Sequence, residues 1–162
     1  MITLVLGGAR SGKSALAEDL AGTRGPVTYV ATGVVGDDLD FARRVDEHRR
    51  RRPSSWTTVE CGGDLVGAIE RLDGPLLIDS LGSWLAAQPE FCPDGGLVMA
   101  LGAHRGDVVV VSDEVGLGVH PETAVGRAFR DALGELNQAV AQRADRVLLV
   151  VAGCALTLKS PV

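Results

Sequence analysis

Gly7-Gly8-Ala9-Arg10-Ser11-Gly12-Lys13-Ser14 is the stretch of this 162-residue chain whose residue types and spacing most directly specify chemistry. It matches GxxxxGK[ST], follows the apolar run Ile2 to Leu6 and opens an amphipathic segment, which is the setting that pattern requires. Each part has a physical task. Glycines let successive backbone N–H groups turn inward around phosphate oxygens, and a helix N-terminus adds partial positive charge. Lys13 would reach the terminal phosphates and Ser14 would offer an oxygen to Mg²⁺, with ATP or GTP as the nucleotide substrate. A loop of this kind also needs a carboxylate near the metal at the end of a second buried strand, and Leu76-Leu77-Ile78-Asp79 supplies one in Asp79. Asp113 and Glu114, after Val108 to Val111, form a further candidate, for which a turn or capping role is an equal reading.

A second chemical segment runs from Phe41 to Pro53 and holds six of the 14 arginines, Arg43, Arg44, Arg49, Arg50, Arg51 and Arg52. On a helix, Phe41, Val45 and His48 share one face at spacings of four and three. Positive charge around His48 would depress its pKa and keep a ring nitrogen free to attack phosphorus, while the guanidiniums held a triphosphate. The pattern alone fits better a histidine that ends an amphipathic helix beside a solvated basic face. His104, before a strand, and His120, before Pro121, read as surface or capping residues.

These residues need a scaffold. Five apolar runs, Ile2 to Leu6, Val27 to Ala31, Leu76 to Ile78, Val108 to Val111 and Val147 to Ala152, lack alternation, as strands do when helices cover both faces of a parallel sheet. Helical patterns separate them at Ser14 to Ala21, at Asp64 to Leu72, and from Pro121 onward, where Val125, Phe129, Ala132, Leu133, Leu136 and Val140 repeat at a 3.6 period. Strand and helix in alternation predict one doubly wound α/β domain over residues 1–162. Ligands of such sheets bind beyond the carboxyl ends of the strands, so Thr32-Gly33, Asp79 and Asp113-Glu114 should line one crevice with the phosphate loop. Gln88 to Gly96 reads as an exposed loop, Leu97 to Leu101 as a short helix at most, and Gly153 to Val162 as a weak antiparallel edge strand.

Composition narrows the function classes. The chain is 46% hydrophobic without an 18-residue apolar run, which excludes a membrane-spanning helix and argues against disorder. A net charge of -5 disfavours nucleic-acid binding, and six aromatic residues supply few stacking platforms. Cys61, Cys92 and Cys154 are odd in number and far apart, so they read as reduced structural residues. The absence of a signal-like N-terminal pattern gives a cytoplasmic expectation.

The order of motifs then resembles a family. The loop Gly7 to Ser14 is followed by Ala31-Thr32-Gly33 and by Arg44-Val45, His48, Arg52-Pro53, Trp56, Thr58 and Glu60. Asp79-Ser80-Leu81 with Trp84 comes next, then Glu114-Val115-Gly116, Pro121-Glu122, Arg127, Phe129-Arg130-Asp131 and Asn137. Nearly end to end, this resembles the bifunctional adenosylcobinamide kinase / adenosylcobinamide-phosphate guanylyltransferase family of cobalamin biosynthesis. The resemblance implies a P-loop NTPase with a RecA-like, mostly parallel sheet, assembled as a homotrimer. It implies phosphorylation of the aminopropanol hydroxyl of a corrinoid, then transfer of GMP from GTP to that phosphate through a guanylylated His48. It places GTP against the phosphate loop, Ala31, Thr32, Gly33, Arg49 to Arg52 and Glu60. The chain departs from the family at Asp113, where asparagine is common, and in a short, glycine-rich stretch from Gln88 to Gly106. A kinase without nucleotidyl transfer, and a RecA-like switch that binds a partner through Arg49 to Arg52, are the competing readings.

Overall fold

The computed structural model describes residues 1–23, 25–33, 52–92 and 95–161. Its frame is a seven-stranded sheet in the order β3-β2-β4-β5-β1-β6-β7. The strands are β1 (Ile2–Gly7), β2 (Thr28–Ala31), β3 (Thr57–Glu60), β4 (Leu76–Asp79), β5 (Val108–Asp113), β6 (Arg146–Val151) and β7 (Cys154–Lys159). The first six are mutually parallel and β7 runs antiparallel to β6. All five apolar runs are strands, and the weakly patterned tail is a strand too.

Alternate residues of these strands enter two different cores, as the pleat requires. Leu4, Leu6, Val30, Ile78, Val110 and Val147 pack beneath α2 (Leu65–Arg71), α3 (Leu81–Ala86), α4 (Leu97–Ala103) and α5 (Ala124–Arg143). Val5, Tyr29, Leu77, Val109, Val111 and Val150 pack on the other face against Ala17 and Ala21 of α1 (Lys13–Gly22), with Trp56 beside them. Helices thus cover both faces, four on one and one on the other among the described residues.

Three local expectations are corrected. The long helix begins at Ala124 rather than at Pro121, because the Thr123 hydroxyl caps it by accepting from Gly126 N at 3.0 Å. One residue of its expected apolar stripe, Val125, sits in that first turn and is 66% exposed, whereas Leu133 and Val140 are fully buried. The Gln88 loop contains a 3-10 turn at Pro89–Phe91 and is pinned by Phe91, whose ring meets Phe129 edge-on at 5.3 Å. Two elements were not expected, α3 and the edge strand β3. The first is a six-residue helix started by a Ser80 cap. The second, Thr57-Thr58-Val59-Glu60, is mostly exposed and carries no apolar signal.

The three cysteines are free thiols, with Cys61 half-buried and Cys92 and Cys154 exposed. Only Cys61 packs against a core, which corrects the structural role expected for the other two.

Candidate active site

Parallel pairing brings the carboxyl ends of β1, β2, β4 and β5 to one edge. Gly7 lies in register with Asp113, Ala31 with Asp79 and with Glu60, and Asp79 with Val111. The phosphate loop leaves that edge from Gly7. A Cβ on Gly7 would stand 2.8 Å from the Val150 carbonyl oxygen and closer still to Ser11 Oγ, so only glycine permits the turn. Ser11 is buried at its centre, its carbonyl accepting from Gly153 N at 2.9 Å. Arg10 and Gly12 both take positive φ, 57° and 95°. Gly12 caps α1 with no side chain of its own, and the first-turn amide of Lys13 donates to Ser11 Oγ at 3.4 Å.

Lys13 Nζ donates to the Gly8 carbonyl at 3.3 Å and pairs with Asp113 Oδ1 at 2.8 Å. Ser14 follows in the first turn of α1, half-buried. At the end of β4, Asp79 Oδ2 accepts from the Tyr29 hydroxyl at 3.0 Å. Burial, and the Asp79 carboxylate beside it, push the Tyr29 phenol above its ordinary range, which keeps it a donor; the nearby Arg52 charge opposes them. The Arg52 guanidinium lies over the Tyr29 ring, 3.2 Å from its centre, and its Nη1 donates to Thr58 Oγ1 at 3.3 Å. Thr32 is buried between β2 and β4. Its hydroxyl donates to the Ser80 carbonyl at 2.7 Å and accepts from Ser80 N at 2.9 Å.

The structure therefore brings together Gly7, Gly8, Ala9, Arg10, Ser11, Gly12, Lys13, Ser14, Ala31, Thr32, Gly33, Arg52 and Asp79 along one sheet edge. Glu60 stands exposed at the end of β3, on the outer side of β2. His48 and Arg49 to Arg51, with the helix expected to carry Phe41 and Val45, lie outside the described residues. His104 ends α4, with Nε2 2.7 Å from the Gly74 carbonyl, and His120 Nδ1 lies 2.8 Å from Arg130 Nη1. Sequence reasoning missed the part played by Tyr29, whose only signal is that it is the chain's single tyrosine and sits two residues from Ala31. It gave Asn137 no task. Asn137 is buried, accepts from Ser112 Oγ at 2.6 Å and donates from Nδ2 to the Asp113 carbonyl at 3.0 Å, which fixes the end of β5.

Among the described residues no three His, Cys, Asp or Glu side chains converge on a common point. A hydroxyl and a carboxylate, Ser14 and Asp79, instead suit a hard cation that takes its other ligands from phosphates and water, as Mg²⁺ does. No helix among the described residues is long and apolar enough to cross a membrane.

Comparison with known proteins agrees with this arrangement. Two solved structures share the fold alone, at 13% identity: a prototypical ATPase of the type III secretion system of pathogenic bacteria (TM-score 0.54, 96% of this chain) and the assembled ATPase EscN of enteropathogenic E. coli (0.52, 93%). The chain spans 56% and 43% of those two chains. Curated relatives are much nearer. The bifunctional adenosylcobalamin biosynthesis protein CobP of Pseudomonas aeruginosa is 41% identical, with 98% of each chain covered. The bifunctional adenosylcobalamin biosynthesis protein CobU of Salmonella typhimurium is 36% identical over 98% of this chain and 100% of its own. The family described as cobinamide kinase / cobinamide phosphate guanyltransferase matches residues 3–158. With that match over nearly its whole length, and with a phosphate loop built as its motif demands, the chain belongs to the cobinamide kinase / cobinamide phosphate guanyltransferase family.

Proposed function

We propose that this chain carries out both reactions of its family on one corrinoid. The observation that supports the kinase half is the convergence of the loop Gly7–Ser14, Lys13 and Asp79 at a single sheet edge. The loop amides and the α1 N-terminus hold the triphosphate, and Lys13 stabilises charge on the phosphoryl group in transfer. The aminopropanol hydroxyl oxygen of adenosylcobinamide attacks the terminal phosphorus; the bond to the bridging oxygen breaks, the nucleoside diphosphate leaves and the hydroxyl proton is released. Ser14 and Asp79 would hold Mg²⁺, which when bound would supply charge neutralisation at the phosphates.

In the second reaction, His48 attacks the α-phosphorus of GTP through a ring nitrogen, and pyrophosphate leaves. The phosphate oxygen of the corrinoid then attacks that phosphorus and frees the histidine, which yields adenosyl-GDP-cobinamide. Arg49 to Arg52 bind the donor's phosphates, and Ala31, Thr32, Gly33 and Glu60 border the nucleotide. Arg52, stacked on Tyr29, links this segment to the metal-side carboxylate. The reading includes a homotrimer in the cytoplasm, which sedimentation of the purified protein and cell fractionation test.

The decisive experiment follows each product separately in wild type and in His48→Ala. Incubation with GTP labelled in the α-phosphate should leave label on the wild-type chain that survives alkali and is lost in acid, as a phosphoramidate behaves. His48→Ala should lose this adduct and adenosyl-GDP-cobinamide while it still phosphorylates adenosylcobinamide, at an unchanged melting temperature. Formation of adenosyl-GDP-cobinamide at the wild-type rate by His48→Ala would show that the covalent route is wrong. A fall of both reactions together with the melting temperature would make His48 structural.

A further inference from the structure

The lysine of the phosphate loop already has an anionic partner. Asp113 Oδ1 lies 2.8 Å from Lys13 Nζ, and the two side chains are 33% and 12% exposed. Strand register places Asp113 beside Gly7, at the mouth of the loop. Its backbone carbonyl is anchored by the buried Asn137, and its carboxylate fills space left because residue 82 is glycine, where a Cβ would stand 2.7 Å from Asp113 Oδ2. Through its ion pair this carboxylate belongs to the loop's electrostatics, and it offsets the one lysine that the loop contributes.

We propose that Asp113 is a specificity-determining residue that makes the phosphate loop select the metal complex of a nucleoside triphosphate over the free triphosphate. The inference rests on the reading that Gly7–Ser14 binds a triphosphate. With Asp113 in place the Lys13–Asp113 pair carries no net charge. A bare triphosphate therefore gains little from the pair, because the carboxylate's repulsion cancels the ammonium's attraction. A divalent cation cancels two of the ligand's charges, and the repulsion falls with them. For charges roughly 6 Å apart at an effective dielectric constant of about 40, each unit of ligand charge changes affinity by about tenfold, so the preference for the metal complex gains up to roughly a hundredfold. Screening by salt reduces that figure.

The test is titration calorimetry of GTP against the full chain, in excess Mg²⁺ and in excess EDTA, for wild type and Asp113→Asn. Asparagine keeps the shape and an acceptor oxygen for Lys13 but not the charge. The ratio of affinities with and without Mg²⁺ should fall by at least tenfold in Asp113→Asn, chiefly through tighter binding in EDTA. Asp113→Ala makes the same charge change and serves if the asparagine variant does not fold. A ratio that stays within threefold of wild type in a folded variant overturns the inference and leaves the loop assignment standing. Absence of GTP binding by wild type in both conditions overturns the loop assignment, and the inference with it.

Discussion

Tyr29→Phe removes one oxygen atom and, with it, the hydrogen bond to Asp79, while the ring beneath Arg52 remains. The lost contact is a 3.0 Å bond to a carboxylate from a side chain that is only 5% exposed. Hydrogen bonds to charged groups contribute about 1.5–3 kcal/mol. Asp79 keeps another interaction, so the lower end applies. The expected loss is about 1.5–2 kcal/mol, which for a chain of this length lowers Tm by roughly 3–8 °C. Urea unfolding followed by the fluorescence of Trp56 and Trp84 measures the loss directly. A double-mutant cycle with Asp79→Asn isolates the pair, since the hydroxyl acts through that carboxylate. The coupling energy should be about 1 kcal/mol or more. If Tyr29→Phe costs the same in both backgrounds to within about 0.5 kcal/mol, the bond does not carry the stability assigned to it.

The raised Tyr29 pKa has its own pH signature: the folded chain keeps the proton that the unfolded chain releases above the ordinary phenol value of 10.0, so stability falls as pH rises past that value. Tyr29→Phe should flatten this alkaline decline, as denaturant melts between about pH 9 and 11 would register. Lys13→Ala should lower kinase turnover by orders of magnitude, because it removes charge stabilisation from the transferred phosphoryl group and leaves Asp113 unpaired at the loop; coupled kinase assays at saturating Mg²⁺ and nucleotide check this. Thr32→Val should cost about 1–3 kcal/mol in urea melts, since a fully buried hydroxyl loses both bonds to Ser80 and the Ser80 N–H is left unpartnered, while the Ser80 carbonyl keeps Trp84 N. Gly7→Ala should weaken GTP binding at least tenfold in calorimetry, because its Cβ would displace Ser11 or the β6 backbone and distort the loop.

The sequence by itself determined the phosphate loop, the five apolar strands, the parallel α/β class and the family. The first two are written in neighbouring residues, and the class and family in the order of such stretches along the chain. A loop of eight positions turns on its own glycines, and a buried strand shows as an unbroken run of Val, Ile and Leu because both of its faces are covered. Asp79 was legible for the same reason, as the first charge after such a run. Where local signal was thin, only packing decided. Thr57-Thr58-Val59-Glu60 is a strand because β2 offers it a parallel edge, and its side chains alone resemble a loop. The start of the long helix turned on one hydroxyl, that of Thr123, against the pull of Pro121. The pairings that set the chemistry lay further out of reach. Tyr29 and Asp79 are 50 residues apart and meet because β2 and β4 are adjacent in a particular register. Lys13 meets Asp113 because β5, rather than β4, lies next to β1. Strand order and register come from the sum of many contacts across the sheet, so no short stretch of sequence encodes them, and the charge balance of the loop became visible only once the sheet was assembled.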